Sequence, residues 1–298
     1  MTQDTNTVSL SNMAHEKNIQ KNLSQRNERL FHIKNKDCVS YQLNKRTLDI
    51  LQPFWSSPSS WLTVGDYNGL EANYLLGKDL DVTASDISDA FLKEANIEGL
   101  VKDYAAVNVE KIQYADDSFD YVMCREAFHH FPRAYLGLYE MIRTAKKAAI
   151  IVDPIDILAK MPALLLVKNV LDWFSPTLIN KIWKNRFSFE TVGNYVFKIS
   201  EREIEKMAMG IGLRCIAFKR INFILNLKDN LLEVPMNQKV WKKTMLKFRF
   251  LNLLCNLKLI PFNTLGCVVF KEYPSDETKQ KMKALGYTII DLPKNPYL

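Results

Sequence analysis

The feature that most constrains the fold is an apolar segment that ends in two closely spaced glycines. Trp61–Val64 is predicted to be a buried strand, Gly65 and Gly69 lie in the loop after it, and Glu71–Leu76 can be helical. A strand, a glycine-bearing loop and a helix in this order bring backbone N–H groups close to a bound ligand. The segment therefore predicts an α/β fold with a ligand site after its first strand.

Predicted strands and helices alternate over most of the remaining chain. The seven predicted strands are Trp61–Val64, Asp81–Ser85, Val101–Val107, Phe119–Cys124, Ala148–Val152, Leu213–Ile221 and Gly266–Lys271. Helices are expected near Glu71–Leu76, Ser88–Ala95 and Arg133–Ala145, and from Ser200, which with Glu203 forms a capping-box pattern, to Gly210. Such alternation indicates a doubly wound, seven-stranded, mostly parallel sheet with helices on both faces.

The chain organisation predicts one domain with two insertions. Residues 1–30 are polar and are expected to be a flexible segment, and residues 31–298 form the domain. An insertion at about 155–198 is expected to be a helical cap, and one at about 222–259 is basic and amphipathic. The aromatic residues expected in the core of the cap are Trp173, Trp183, Phe187 and Phe189.

Composition excludes few classes of protein. The 298 residues are 47% hydrophobic and 24% charged, with a formal net charge of +7, as in an ordinary soluble domain. The five cysteines form no CxxC pair, which indicates reduced thiols, no metal site and a cytoplasmic protein. Met1–Lys21 lacks the apolar core of a signal peptide, and no run reaches the ~18 uncharged apolar residues that a spanning helix needs.

An acid after the second strand limits the class of ligand that the site can bind. Asp86 lies seventeen residues past Gly69, at the end of the apolar run Val82–Ser85. An acid there can accept hydrogen bonds from both hydroxyls of a ribose. The first loop, however, has Tyr67 where a dinucleotide-binding GxGxxG motif has its middle glycine, and it lacks the third glycine. A ribose-containing ligand without a pyrophosphate therefore fits better than a dinucleotide.

Five short blocks together carry a family resemblance. They are Trp61–Asp66, Ala84–Ser88, Phe119–Val122, His129–Pro132 and Leu292–Tyr297. They resemble the class I S-adenosylmethionine-dependent methyltransferases, specifically the methyltransferase type 11 group. Within that group they are similar to proteins of bacterial surface-polysaccharide gene clusters. The resemblance is good over residues 61–156 and loose elsewhere, and it implies the Rossmann-like methyltransferase fold with S-adenosyl-L-methionine as cofactor.

The resemblance also implies which residues contact that cofactor. It assigns Gly65, Asp66 and Gly69 to the methionine moiety, Asp86 to the ribose, Ile87 to the adenine face, Asn108 and Val109 to the adenine edge, and the backbone of Cys124 and Arg125 to a strip below the methionine carboxylate. Tyr67 departs from the family's usual glycine. Its side chain is expected either to crowd the cofactor or to close over it.

A hydroxyl acceptor benefits from a base, and two adjacent histidines are the candidates. On a helix His129 and His130 would point about 100° apart, so only one of them is expected to face the cleft. Asp153, at the end of the fifth strand, could orient that histidine, and Glu126 and Asp156 are further candidates. The other histidine is expected to pack or to cap.

Three functions remain open at this point. The first is O-methylation of a sugar in a surface glycan or its nucleotide- or lipid-linked precursor, for which the resemblance is the basis. The second is methylation of a lipophilic small molecule such as a quinone. The third is a non-catalytic scaffold, for which Tyr67 and the absence of an acid at Thr63 speak.

The expected partner is a small-molecule or glycan acceptor rather than nucleic acid, because the positive charge is spread along the chain and no Asn/Asp-Pro-Pro-Tyr/Phe motif is present. The basic run Lys239–Arg249 is either a solvated helix face or a contact with an anionic or membrane surface. The predicted location is therefore cytoplasmic, with the inner face of the membrane as an option. The oligomeric state stays open.

Overall fold

A central sheet organises the chain. The computed structural model describes residues 9–18, 30–31, 33–56, 58–156, 162–175, 177, 189, 195–223 and 238–297. The strands of the sheet are β1 (Ser60–Val64), β2 (Asp81–Asp86), β3 (Asp103–Ala106), β4 (Phe119–Arg125), β5 (Ala145–Pro154), β6 (Cys215–Ile221), β7 (Thr264–Phe270) and β8 (Thr288–Asp291). They lie in the order β3-β2-β1-β4-β5-β7-β6-β8.

The direction of the strands fixes where a ligand can bind. Strands β1 to β5 are parallel to one another, β7 is antiparallel to both β5 and β6, and β8 is antiparallel to β6. The carboxyl ends of β1, β2, β4, β5 and β6 therefore meet at one edge of the sheet. The strand order reverses between β1 and β4, and that switch point is where open α/β sheets bind ligands.

The predicted doubly wound α/β sheet is confirmed, with eight strands in the described part of the chain rather than seven. The additional strand is β8, near the C-terminus, which the seven predicted strands do not include. Its register pairs Cys215 with Asp291 and Phe218 with Thr288. This segment is a strand only because it pairs with β6, which is distant in the sequence. Four residues are too few to show the alternation that distinguishes a strand from an extended end.

Helices cover both faces of the sheet. They are α1 (residues 9–18), α2 (Val39–Leu48), α3 (Leu70–Leu76), α4 (Ala90–Ile97), α5 (Ala134–Thr144), α6 (Pro162–Phe174), α7 (Glu201–Gly210), α8 (Gln238–Asn256) and α9 (Asp276–Ala284). Short 3₁₀ helices span Asp49–Phe54 and Phe128–His130. The predicted capping box at the start of α7 is present, with Ser200 and Glu203 bonded reciprocally.

Two buried clusters, one on each face of the sheet, form the core. Leu62 and Val122 point into one cluster, whereas Trp61 and Tyr121 point into the other and lie with ring centroids 4.5 Å apart. Neighbouring residues of one strand thus alternate between clusters, although both sides are apolar. This two-sided burial is why the central strands appear in the sequence as continuous apolar runs.

Both insertions leave the sheet from the same edge, and each is closed at its base. Ile155 and Ile199 form a parallel bridge, and the N–H of Ile199 donates to the carbonyl oxygen of Pro154 at 3.1 Å. At the second base the N–H of Asn263 donates to Oδ1 of Asn222 at 3.3 Å. Each insertion thus begins and ends at adjacent points of the fold.

Two of the four aromatic residues predicted to form the core of the cap insertion are exposed. Trp173 is 84% exposed and Phe189 is 65% exposed, so the prediction that they are core residues is wrong for these two. The ring centroids of Trp173 and Phe174 lie 5.3 Å apart, and Phe174 is itself 75% exposed. Trp183 and Phe187 lie outside the described residues.

Candidate functional site

A cavity of ≈ 700 Å³ lies at the carboxyl edge of the sheet, in the size range of small-molecule sites. Many of its lining residues come from the loops that follow β1, β2, β3 and β4. The lining residues are Asn12, His15, Asn18, Val64, Gly65, Tyr67, Asp86, Ile87, Val107, Asn108, Val109, Glu126, Ala127, His130, Phe131, Pro132, Phe189 and Val196. The cavity therefore brings together seven of the thirteen predicted site residues: Gly65, Tyr67, Asp86, Ile87, Asn108, Val109 and His130.

The glycine loop after β1 depends on two glycines with positive φ. Gly65 has φ +67°, and a Cβ there would lie 2.5 Å from the Cβ of Ala127. Gly69 has φ +80°, and a Cβ there would lie 2.5 Å from the side chain of Val101. The first glycine lets the loop approach the end of β4, and the second lets α3 begin against its neighbours. Gly69 itself lies outside the cavity lining.

Asp66 turns its side chain into the protein rather than toward the cavity. Its carboxylate accepts hydrogen bonds from the Thr63 hydroxyl at 2.8 Å and from the N–H groups of Glu71 and Ala72. Burial, together with the nearby Glu71 carboxylate, raises the pKa of Asp66 well above its usual value. Asp66 thus serves as the N-terminal cap of α3, a task that Gly69 at the N-cap position cannot perform.

Asp86 ends β2 at the cavity, as the sequence predicted. It is 7% exposed, and its Oδ1 accepts a long hydrogen bond of 3.4 Å from the N–H of Ser88. Burial is the main cause that raises the pKa of Asp86 to about 6. A buried carboxylate at the wall of a cavity favours a ligand that brings hydroxyl groups to it.

Apolar side chains flank Asp86 in the cavity. Ile87, Val107 and Val109 line it from the ends of β2 and β3. Asn108 also lines it, but its Oδ1 accepts the N–H of Glu110 at 2.9 Å. The amide nitrogen of Asn108 therefore remains the more available group toward a ligand. Its predicted contact with the adenine edge stays a prediction.

Tyr67 forms part of the cavity wall. Its ring lies with its centroid 4.7 Å from that of Phe91, a buried residue of α4. The Tyr67 side chain, predicted either to crowd the cofactor or to close over it, thus packs against α4. The cavity of ≈ 700 Å³ is present with Tyr67 in place.

Cys124 and Arg125, at the end of β4, have their side chains outside the cavity lining. Cys124 is buried. The Arg125 guanidinium forms an ion pair with the buried Glu71 and donates to Oδ1 of Asn44 at 2.9 Å. Arg125 therefore ties α2 and α3 to the central strand. The contact predicted for these two residues involves only their backbone, and it stays a prediction.

His129, His130 and Asp153 form a row that reaches the cavity at one end. The fully buried Asp153 accepts hydrogen bonds from the backbone N–H of His129 at 3.0 Å and from its Nδ1 at 3.0 Å. The rings of His129 and His130 lie with centroids 4.0 Å apart, and only His130 belongs to the cavity lining. With Asp153 ionised, the Nδ1 of His129 carries the proton of this contact, and its Nε2 is the basic nitrogen.

Glu126, directly after β4, is the most strained residue of the site. It has φ +51°, a conformation that side chains other than glycine rarely adopt. Its Oε1 is buried without a hydrogen-bond partner. Burial, reinforced by the Asp153 carboxylate, raises its pKa to about 7. A strained backbone that holds an unsatisfied carboxyl in a cavity is typical of functional sites.

Sequence reasoning missed several lining residues. Asn12, His15 and Asn18 come from α1, within the segment expected to be flexible, and the His15 and His130 ring centroids are 5.8 Å apart. The polar spacing of α1 carries no recognisable signal, because an amphipathic stripe is absent. Glu126 was a secondary candidate, and no sequence pattern announces its positive φ.

The site fits the cofactor that the resemblance implies. Asp86 would accept hydrogen bonds from the ribose hydroxyls, because its buried carboxylate lines the cavity. Ile87, Val107 and Val109 would cover the adenine ring. The loop at Gly65 would let the backbone approach the methionine part, since a Cβ there has no room.

One family model and several solved structures are similar to parts of the chain. Residues 62–152 match a family model described as a methyltransferase domain. Among solved structures the chain is similar to a SAM-dependent methyltransferase from Archaeoglobus fulgidus, at 14% identity and a TM-score of 0.48, over 77% of this chain and 94% of that one. It is also similar to the YcgJ protein from Bacillus subtilis, at 16% identity and a TM-score of 0.46, over 77% and 99%.

A third similar structure contains the product form of the cofactor. It is phosphoethanolamine N-methyltransferase 2 from Haemonchus contortus with phosphomonomethylethanolamine and S-adenosylhomocysteine, at 14% identity and a TM-score of 0.47, over 76% of this chain and 52% of that one. A comparison with curated proteins finds no match.

Proposed function

We propose that this chain, whose residues 62–152 match a model described as a methyltransferase domain, is a class I S-adenosylmethionine-dependent methyltransferase. We propose further that it methylates a hydroxyl group of a sugar, in a surface glycan or its nucleotide- or lipid-linked precursor. The row from Asp153 through His129 to His130 supports this proposal most directly. It places an imidazole on the cavity wall, backed by a second imidazole that a buried carboxylate orients. Such a group is what a hydroxyl acceptor needs and a more reactive acceptor does not.

The polar residues of α1 support a sugar rather than another alcohol. Asn12, His15 and Asn18 line the cavity beside His130 and can each donate and accept hydrogen bonds. Their side chains are uncharged amides and an imidazole, which suit a neutral molecule with several hydroxyls. The cavity wall there is thus built for hydrogen bonding.

The chain's residues would act as follows. S-adenosylmethionine, when bound, supplies an activated methyl group on a sulfonium. His130 would accept the proton of the acceptor hydroxyl, and His129, fixed by Asp153, would position the His130 ring through their contact. Asn12 and Asn18 would orient the sugar so that its oxygen faces the donor, which is the main task of the protein in this chemistry.

The test is S-adenosylhomocysteine release with nucleotide-linked sugars, lipid-linked sugars and quinone precursors as acceptors. We expect release with a sugar. His130→Ala should lower kcat about 100-fold while the affinity for S-adenosylhomocysteine changes less than about twofold. His15→Ala, at the same wall, should instead raise KM. An unchanged kcat in His130→Ala would refute the base assignment.

A lipophilic acceptor is the second candidate, because apolar residues also reach the cavity. Phe131, Phe189 and Val196 line it, two of them from the end of the cap insertion. Release of S-adenosylhomocysteine with quinone precursors and none with any sugar would favour this reading.

A non-catalytic scaffold is less well supported. Tyr67 packs on Phe91, and the cavity is present with this side chain in place. Calorimetry decides this question, because a scaffold that has lost its cofactor would not bind S-adenosylmethionine even at millimolar concentration.

A further inference from the structure

Helix α8 has an inner face that packs against the domain. Thr244, Phe248 and Cys255 on this face are between 2% and 6% exposed. Phe248 forms a small buried cluster with Val39 and Leu43 of α2. This side of the helix is thus buried by contacts within the chain.

The opposite face of α8 exposes an apolar stripe. Leu246, Phe250 and Leu253 are 66%, 59% and 54% exposed, at the i, i+4, i+7 spacing that places them on one side of a helix. Leu257 and Leu259, just after the helix, are also exposed, at 59% and 61%. Single exposed leucines are ordinary, but five large exposed apolar side chains within fourteen residues indicate a binding surface.

The charged residues of α8 itself are all lysine or arginine. Lys239, Lys242 and Lys243 precede it on the outer face, and Lys247 and Arg249 flank it, all of them exposed. From Gln238 to Asn256 the helix has no aspartate or glutamate. An apolar stripe bordered by lysine and arginine is the composition of helices that lie in the headgroup region of an anionic bilayer, where long basic side chains reach the phosphates.

The position of α8 relates the stripe to the cavity. β6 ends at Ile221 on the same sheet edge as β1, β2 and β4, because β6 runs parallel to β5. The insertion that contains α8 starts after Ile221 and ends before Thr264. It therefore extends from the edge of the sheet at which the cavity opens.

We propose that the outer face of α8 binds the surface of an anionic phospholipid bilayer. The stripe would enter the headgroup region, and the surrounding lysines would contact lipid phosphates. Within the described ranges no helix is long and apolar enough to cross a bilayer, so the contact would be peripheral. The proposal does not depend on the identity of the acceptor.

The test is co-sedimentation of the full chain with vesicles of phosphatidylcholine, with and without phosphatidylglycerol. We expect binding to the vesicles with phosphatidylglycerol at low salt and its loss at high salt. Leu253→Glu should weaken binding at least about tenfold, since it places a charge in the stripe. The double variant Lys242→Glu/Lys243→Glu should do the same through charge alone.

The matched control is Ile97→Glu. Ile97 is 70% exposed at the end of α4, so this variant adds the same charge at an exposed apolar residue of another surface and should bind like the wild type. Unchanged thermal unfolding and unchanged S-adenosylhomocysteine affinity would show that each variant is folded.

Three results would overturn the proposal. They are no binding of the wild type to anionic vesicles, equal binding to vesicles of phosphatidylcholine alone, and undiminished binding of Leu253→Glu. Binding of an acidic polypeptide such as polyglutamate, with no binding to vesicles, would assign the face to an acidic protein instead.

Discussion

Glu126→Gln tests whether the protein pays in stability for the buried carboxyl of its cavity. The pKa of Glu126 rises from 4.5 to about 7, chiefly through burial. As pH rises from 4.5, the unfolded chain releases this proton while the folded chain keeps it until about pH 7. The contribution of Glu126 to stability is therefore fully present below about pH 4.5 and is lost as pH rises through about 7.

The size of the effect follows from the two pKa values. A pKa difference of about 2.5 corresponds to about 3 kcal/mol, at about 1.4 kcal/mol for each unit. Glutamine is neutral at every pH, so the variant lacks this loss. The stability of Glu126→Gln relative to the wild type should thus increase by about 3 kcal/mol between acid pH and about pH 8.5.

Urea unfolding over this pH range measures the effect. The unpaired amide of glutamine adds a constant offset, so the change of the difference with pH is the quantity to read. Asp86 and the other buried carboxyls are present in both proteins, and their contributions cancel to first order. Glu272→Gln, an exposed carboxyl after β7, is the control and should follow the wild type. If Glu126→Gln also ran parallel to the wild type, Glu126 would not be buried as described.

Three further predictions concern single residues. Asp86→Ala should raise the dissociation constant of S-adenosylhomocysteine in calorimetry at least about tenfold, which is about 1.4 kcal/mol. Asp81→Ala, at the exposed start of β2, should leave this constant unchanged, and equal affinities of the two variants would refute the ribose assignment. Gly69→Ala should lower the free energy of unfolding by about 3 kcal/mol in thermal unfolding, and Gly99→Ala by only about 1 kcal/mol. Both glycines have positive φ, but only at Gly69 would the added Cβ clash with a neighbour, so equal losses would contradict this packing. Ser200→Ala should cost about 1 kcal/mol in urea unfolding by removing the cap of α7, and no loss would show that the capping box is not formed in solution.

The central strands could be predicted from the sequence because each is buried on both faces. Apolar runs such as those of β1 and β4 need no knowledge of their partners, and their predicted ends differ from the structure by one residue. β5 begins at Ala145, three residues before the prediction, because Lys146 and Lys147 interrupt its apolar run. β8 forms only by pairing with β6, about seventy residues earlier in the chain, and no local sequence pattern indicates such a distant partner.

The candidate site could be predicted only in part. Gly65 and Asp86 were found because the spacing between a glycine loop and a second-strand acid is fixed by the fold. The inward turn of Asp66 was not predictable, because it depends on Thr63 and on the N-terminus of α3. Similarly, α1 enters the cavity wall through contacts across the fold that no local pattern encodes.

The closed bases of the two insertions have a consequence for how such chains can diversify. The first insertion returns from Ile199 to the end of β5, and the second is joined by Asn222 and Asn263. Because the ends already lie together, doubling the length of such a segment costs only about 0.6 kcal/mol of loop-closure entropy. A foreign segment grafted onto the first base, beside the lining residues Phe189 and Val196, is therefore expected to alter the cavity while the sheet stays as it is.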